Sequence, residues 1–528
     1  TNTYYELLLV LRDTKYFVQA PDQDLIVKIK SIPALDRYCP NRVVNKYYGD
    51  DSREYFGFEI SPEQAESVKR ICYHNGYPII EEYELGSHTE ASKININIRP
   101  EIKLRDYQLH SSHSLFWNGY KMHSGVLVLP CGAGKTLIGI NAVALCKLNA
   151  IVFCQSALAV TQWKEQFKKF AAVRDKQISR FASLHRAEWD ANANIVVTTY
   201  SMFSTQTGRK EDSLQTMRQC KERVWGIMVL DEVHLAPAKI FRKVTNQIKC
   251  HVKLGLTATM VREDNLIPEL PYLVGPTLYE LDIFTLQMRG HIAPVRCHEI
   301  RVPMAIKFKE RHQISDFMEE RRLLYMCNPN KTRVMYELVT KHAKAGSKVI
   351  IFCDSIFSLH WYSHLLKWDM VDGNTATEER ARILSRFRRS SGVDSINRIL
   401  LSKVGDQSID LPSADVVIQL GLTDGSRMQE GQRIGRIQRP FEGKEEAHFY
   451  SLVSTETEEV NYAAKRRGFL EDHGYVVDVQ TDGASYFTSS TEEYVKPENQ
   501  RTLIKAIEKE LIKRREEKDK PKSYANFH

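Results

Sequence analysis

The 528-residue chain lacks any run of about 18 apolar residues, so no segment reads as a membrane-crossing helix and no membrane partner is expected. It has no CxxC pair. Its ten cysteines, at 39, 72, 131, 146, 154, 220, 250, 297, 327 and 353, are scattered, and none follows residue 353, which fits a reducing compartment rather than a disulfide framework. His110 and His113 could be taken for a metal pair, but no second pair of ligands lies near them, so no structural zinc is expected. The opening Thr1-Asn2-Thr3-Tyr4 lacks the succession of charged region, apolar stretch and cleavage site that marks a secretory signal. Residue 1 is not Met, which weakens any argument from a missing front segment. Strong charge of either sign is absent too: a net +8 on 61.0 kDa is compatible with nucleic-acid binding but also with many enzymes that bind none.

What is present is the composition of a globular protein, 42% hydrophobic and 27% charged, long enough for about three or four domains. From about 124 to 258, short apolar runs alternate with longer helical patterns. The runs are Gly125 to Leu129, Ala150 to Phe153, Ile195 to Val197, Gly226 to Leu230 and Leu254 to Leu256, and their wholly apolar character predicts buried parallel strands. Between them, Leu137 to Lys147 and Val160 to Phe170 carry apolar residues at helix-like spacing, which predicts a doubly wound α/β lobe. The rhythm returns with Lys348 to Phe352, Ile399 to Leu401, Val416 to Ile418 and His448 to Leu452, a second parallel sheet between about 330 and 475. Two such lobes imply a cleft. Ahead of them, 1–98 predicts a small α+β region with strands at Glu6 to Leu11 and Tyr16 to Gln19 and a helix from Pro62 to Asn75. The polar stretch Thr481 to Asn499 reads as a linker, and Leu503, Ile504, Ile507 and Leu511 share one face of a terminal helix expected to dock. Lys513-Arg514-Arg515 is a charge run of the kind usually solvated, with a localisation signal as the alternative.

The strongest chemical signal is Gly132-Ala133-Gly134-Lys135-Thr136, placed after a predicted strand and opening a predicted helix. Glycines there let backbone N–H groups approach phosphates, the helix N-terminus adds partial positive charge, Lys135 reaches the β- and γ-phosphates, and the Thr136 hydroxyl can bind magnesium. Leu129 stands where the general loop has a glycine; the shorter GxGKT form is the one seen in helicases. Asp231-Glu232-Val233-His234 follows the apolar run Ile227 to Leu230 at its C-terminal end, where an open α/β sheet presents ligand-binding residues. Asp231 is expected to hold magnesium and Glu232 to orient and deprotonate the attacking water. In the second lobe, Gln432-Arg433-Ile434-Gly435-Arg436-Ile437-Gln438-Arg439 places Arg436 and Arg439 on one helix face. Two arginines on a helix are ordinarily a solvated face. Brought to a γ-phosphate they act as arginine fingers, worth on the order of 10³ to 10⁵ in rate, and lobe closure then couples to hydrolysis.

These elements in this order resemble the superfamily 2 helicases, and neighbouring residues narrow the resemblance to the XPB family of DNA repair and transcription ATPases. The narrowing residues are Leu104-Arg105-Asp106-Tyr107-Gln108, Leu129-Pro130-Cys131, Pro237-Ala238, Phe241-Arg242, Leu254 to Thr259, Arg262-Glu263-Asp264, Ser402 to Asp406 and Asp410-Leu411-Pro412. The resemblance is dense from about 100 to 475 and thinner before that. It implies that Arg105 and Gln108 read the adenine, that Gly405, Asp410 and Gln432 line the nucleotide, and that His234 belongs to the catalytic motif. It further implies that Arg262, Glu263 and Asp264 form the family's RED motif on DNA. Pro303 to Asn328 occupies the place of its DNA-gripping thumb, with Lys307, Lys309, Arg311, Arg321 and Arg322 suited to phosphates, although a merely solvated helical insert also fits. Eukaryotic members carry a further N-terminal domain that anchors them in the transcription factor TFIIH. No counterpart stands before the Tyr4 to Leu11 segment, which fits either a trimmed front or a divergent paralogue.

The fold expected is α/β, with two RecA-like parallel-sheet lobes, a small N-terminal α+β domain and a helical thumb-like insert. The boundaries expected are 1–98 (resembling a damage-recognition domain), 99–290 (lobe 1), 291–330 (connector and thumb), 331–478 (lobe 2) and 479–528 (polar linker and terminal helix). The function expected is an ATP- and Mg2+-dependent 3′-to-5′ DNA helicase or double-stranded DNA translocase. By resemblance it acts in nucleotide excision repair, in promoter opening, or in both, in the nucleus and with TFIIH-type partners. An RNA helicase and a non-enzymatic scaffold are the alternatives. DEVH and TAT in place of DEAD and SAT speak against the first, and the intact Lys135, Thr136, Asp231, Glu232, Arg436 and Arg439 against the second.

Overall fold

The computed structural model describes residues 7–12, 15–38, 44–48, 54–87, 89–117, 120–182, 190, 192–203, 211–233, 238–258, 269–389, 392, 394–402, 414–421, 433–435, 437–438, 446–472 and 474–519. The chain divides into two compact units, Thr1–Leu281 and Asp282–His528.

The first unit holds two sheets. The N-terminal one has seven strands in the order Asn45–Tyr48, Glu54–Ile60, Lys15–Ala20, Leu7–Arg12, Ile79–Glu84, Lys121–His123 and Phe116–Trp117. All neighbours are antiparallel except Leu7–Arg12 with Ile79–Glu84. Its last two strands come from beyond residue 98, the boundary expected from sequence. They are short and mixed in character, so no apolar run betrays them. The helix Ala65–His74 lies where Pro62 to Asn75 predicts one, with a 3-10 turn, Pro62–Gln64, ahead of it, and it buries Ala65, Val68 and Cys72.

The second sheet of this unit is wholly parallel, in the order Ile178–Phe181, Ile195–Thr199, Ala150–Cys154, Trp225–Asp231, Cys250–Thr257, Gly125–Val128 and Thr277–Glu280. The five apolar runs read from sequence are five of these strands. Both faces are covered, which is why Ala150–Cys154 and Ile195–Thr199 are buried at every position. Val126, Phe153, Val196, Trp225, Met228 and Leu230 anchor the core.

A buried ionic cluster joins the two sheets of this unit. Glu81, on the N-terminal sheet, accepts from Lys69 at 2.8 Å, from Lys253 of the parallel sheet at 2.5 Å and from Ser124 at 2.9 Å, and Tyr16 donates to the Cys250 carbonyl at 3.1 Å. Burial alone would raise the Glu81 carboxyl, but the two lysines more than offset it and hold it below the ordinary range. Burial dominates at Lys69, pushing it down to about 8.

The second unit is built on another wholly parallel sheet, in the order Met370–Val371, Arg398–Leu401, Val349–Cys353, Val416–Leu420, Ala447–Ser454, Val295–Val302 and Val477–Gln480. Numbered along the chain within each sheet, both parallel sheets follow the order 3-4-2-5-6-1-7. The stretch expected as a connector, 291–330, supplies the first strand of this sheet. Val295-Arg296-Cys297-His298-Glu299-Ile300-Arg301-Val302 carries charges between its apolar residues and so does not read as a buried run.

Helices Ile306–Ile314 and Met318–Met326 follow, and the terminal helix Pro497–Asp519 docks on them. Leu503, Ile507 and Leu511 are buried against Phe308, Leu323 and Leu324, as the shared helical face predicts. Residues 481–499, expected as a linker, instead form two 3-10 segments, Gly483–Tyr486 and Ser489–Val495, packed on the helix Pro329–Lys344, and run into the start of the terminal helix at Pro497. Arg333 of that helix donates to Thr491 Oγ1 at 3.2 Å and lies over the Phe487 ring, and Thr491 is fully buried. Hydrogen bonds from polar side chains, with the aromatic rings of Tyr486, Phe487 and Tyr494 packed beside them, hold this strap. Among the described residues no helix is long and apolar enough to cross a membrane.

Candidate active site

The site is assembled at the C-terminal ends of three adjacent strands of the first parallel sheet: Gly125–Val128, Cys250–Thr257 and Trp225–Asp231. Gly125–Val128 runs into Leu129-Pro130-Cys131 and the glycine loop. Gly132 and Gly134 take φ of 83° and 81°, a region that side-chain-bearing residues rarely adopt, and Gly134 caps the helix Lys135–Cys146. A Cβ at Gly134 would come within 2.7 Å of Gln108 Nε2, so a side chain there would displace the Gln108 amide as well as strain the backbone.

The Lys135 ammonium is held at the mouth of this loop by two partners. It donates to the Leu129 carbonyl at 3.4 Å and pairs with Glu232 Oε1 at 3.3 Å, so the two sequence motifs meet in space. Burial opposes the charge on Lys135, but Glu232 and Asp231 outweigh it and raise the ammonium above the ordinary lysine value. Burial first and Glu232 second push the Asp231 carboxyl up to about 6, against the opposing pull of Trp163 and Lys135. Glu232 itself takes φ of 47°, left-handed for a residue with a side chain, at a cost of about 1–2 kcal/mol. Such strain is characteristic of functional positions.

Two further side chains complete the arrangement: Trp163, not singled out from the sequence, and Tyr107, which the sequence marked only as part of the motif Leu104 to Gln108. Trp163, on the helix Ala157–Phe170, donates its indole N–H to Asp231 Oδ2 at 2.8 Å. Tyr107 donates to the Ala133 carbonyl at 2.8 Å, where Gln108 Nε2 also donates at 3.1 Å. Gln108 Oε1 in turn accepts from the Arg105 backbone N–H at 2.9 Å, so both ends of its amide are engaged. The segment Arg105 to Gln108 thus braces the phosphate loop from behind. Sequence showed Trp163 only as one of several apolar residues at helix spacing, and no local signal distinguishes it from core.

Thr136 and Asp231 offer the hard oxygen donors that magnesium prefers, and a magnesium site of this class takes one or two protein oxygens, with phosphates and waters supplying the rest. Among the described residues no group of three or more His, Cys, Asp or Glu could hold a metal by itself. His110 Nδ1 is engaged by the Asp106 carbonyl at 2.7 Å. None of the nine described cysteines is in a disulfide, and eight of them are buried. His234, Arg262, Glu263, Asp264, Gly405, Asp410, Gln432, Arg436 and Arg439 lie outside the described residues.

In the second unit four of the five basic residues singled out for phosphate contact already have acidic partners. Lys307 pairs with Glu310 at 2.9 Å, Arg311 with Glu320 at 2.6 Å, Lys309 with Glu456 and Arg321 with Glu458. Arg322 is half-buried.

A wholly parallel sheet with a glycine phosphate loop after its first strand and an Asp-Glu pair after its fifth, followed by a second sheet of identical strand order, defines a RecA-like ATPase of the helicase type. The family model described as "ERCC3/RAD25/XPB C-terminal helicase" matches residues 286–526, and that described as "Type III restriction enzyme, res subunit" matches residues 101–262. Similar proteins carry the name "General transcription and DNA repair factor IIH helicase/translocase subunit" XPB or XPB1. The Encephalitozoon cuniculi protein is 38% identical over 97% of this chain and 75% of its own length, and the Arabidopsis thaliana protein 38% identical over 96% and 70%. The chain belongs to the XPB family of helicase/translocase subunits. It spans about half the length, 53%, of the Dictyostelium discoideum relative, to which it is 42% identical.

Proposed function

We propose that the chain is an ATP-driven DNA motor, a 3′-to-5′ helicase or double-stranded DNA translocase, that serves nucleotide excision repair and promoter opening in the nucleus beside TFIIH-type subunits. The observation that carries this is the meeting of Lys135 with Glu232 at 3.3 Å, beside Asp231 and at the mouth of a loop built for phosphates. Lys135 and the loop N–H groups bind the β- and γ-phosphates, and Glu232 orients and deprotonates water. Magnesium held by Thr136 and Asp231 would neutralise charge on the phosphates. Gly132, Ala133 and Gly134 supply the cradle, while Arg105 and Gln108 face the adenine once Gln108 exchanges its present bonds. Gly405, Asp410 and Gln432 line the nucleotide, and Arg436 and Arg439 act as arginine fingers. Arg262, Glu263, Asp264, Lys307, Arg321 and Arg322 meet DNA, positioning it without reading sequence. Family membership supports the choice of DNA and of these pathways.

The test is steady-state ATP hydrolysis without nucleic acid and with duplex DNA, single-stranded DNA or RNA. Duplex DNA is expected to stimulate most, and binding to weaken with salt by about 0.9 log units per log unit of salt for each phosphate neutralised. Preferential stimulation by RNA would replace the substrate. Absence of hydrolysis under every condition, with TFIIH-type subunits added, would leave a scaffold. Unwinding of duplexes with a single 3′ or 5′ tail checks direction.

A further inference from the structure

The indole of Trp163 is placed by two independent contacts. One edge lies against the phosphate-loop helix at Gly139, where a Cβ would stand 2.8 Å from Trp163 Cη2, so the absence of a side chain at that helix position lets the ring pack this closely. The other edge presents the N–H to Asp231 Oδ2 at 2.8 Å. Trp163 is almost fully buried, and indole has a donor and no acceptor, so the direction of this bond is unambiguous. The helix that carries it, Ala157–Phe170, starts at the end of the strand Ala150–Cys154 with Ser156 as its N-cap. Asp231 is held from its backbone as well, its carbonyl accepting from the Tyr200 hydroxyl at 3.0 Å.

We propose that Trp163 is a positioning residue for the magnesium-binding carboxylate. By occupying Oδ2 of Asp231 it fixes the plane of that group, and affinity for magnesium-bound nucleotide is set in part from the helix Ala157–Phe170 and not from the phosphate loop alone. Groups that orient a ligating carboxylate without touching the metal typically change metal affinity by about 10- to 100-fold when removed. Gly139 belongs to the same device, since it makes room for the ring.

This inference rests on the ATPase reading, and its test separates the two. Equilibrium binding of a fluorescent ATP analogue to the full chain is titrated with magnesium, for the wild type and for Trp163→Phe, which keeps an aromatic ring at this position and removes the donor. The expected result is a magnesium requirement raised about tenfold in Trp163→Phe, with metal-free nucleotide binding unchanged. Benzothienylalanine at position 163, the same shape with sulfur in place of N–H, gives the same shift and answers the question should the phenylalanine variant fail to fold. An unchanged magnesium requirement in the sulfur isostere overturns the role of Trp163 and leaves the ATPase reading standing. A wild type whose nucleotide binding ignores magnesium overturns both.

Discussion

In the first parallel sheet, strand one, Gly125–Val128, ends in the glycine loop, and strand five, Trp225–Asp231, ends in Asp231-Glu232. In the second sheet, strand one, Val295–Val302, runs into Pro303-Met304-Ala305, and strand five, Val416–Leu420, ends at Gly421. The strand order is the same, 3-4-2-5-6-1-7, and the strand ends occupy equivalent places in the topology. The second sheet spends the first of these places on packing: Met304 and Ala305 are buried with Phe308 under the helices that follow.

Each unit also holds a lysine–glutamate pair, and the two pairs differ in kind. Lys331 and Glu459 are completely buried 2.6 Å apart, and Glu459 also accepts from the Ser454 N–H at 2.7 Å. Lys135 and Glu232 sit 3.3 Å apart and retain 10% and 20% exposure. A tightly satisfied pair stabilises a fold. A longer, partly open one, beside a carboxyl raised to about 6, can exchange its partners for a ligand.

Exchanging glutamate for glutamine in each pair breaks the comparison most directly. Glu232→Gln is expected to lower kcat by about 10² to 10⁴, with the thermal midpoint nearly unchanged, in paired ATPase and melting measurements. Glu459→Gln leaves a buried ammonium without its counter-charge and should cost about 3–5 kcal/mol in denaturant unfolding of the second unit. Magnesium-dependent nucleotide binding by the first unit should largely survive. If the two variants exchanged phenotypes, the distinction between the pairs would be lost.

The Glu81 cluster sharpens the contrast, because it is a structural cluster within the unit that carries the chemistry. With its folded pKa below the unfolded value, Glu81 contributes stability that is present above the ordinary carboxylate range and is lost as pH falls through the folded value. Lys69, at about 8 when folded, is protonated more fully in the unfolded chain between about 8 and its ordinary 10.5, so its part of the stability rises with pH across that window. Glu81→Gln should therefore cost about 3–5 kcal/mol near pH 7, and urea midpoints should show the gap to wild type closing as pH falls below the ordinary carboxylate range. A gap independent of pH would remove the ionic account. The smallest effect is expected from Gly139→Ala. Its Cβ would lie nearest to Trp163 Cη2 and Leu256 Cδ1, at 2.8 and 3.0 Å, so crowding should cost about 1–3 kcal/mol by chemical unfolding.

Much of this was legible in the residues themselves. Five fully apolar runs marked five of the seven strands in the first parallel sheet. The glycine loop and the Asp-Glu pair marked the ends of two of them, because phosphate binding needs those residue types at a strand end. Leu503, Ile507 and Leu511 marked the docked face of the terminal helix. Val295–Val302 was not legible as a strand, since charges interrupt its apolar residues, nor was the strap 481–499, held by polar contacts with Arg333 and Glu337. Trp163 looked like core, and by burial it is.

The sequence by itself determined where the strands turn over to chemistry, because loop conformation, helix start and residue type are local properties. Only the tertiary structure decided which of those places share a site. Trp163 and Asp231 stand 68 residues apart and touch because two strands of one sheet bring their C-terminal ends to the same edge. The repeated strand order is equally a matter of pairing. Pairing is set by packing between distant segments, on which local composition carries no mark.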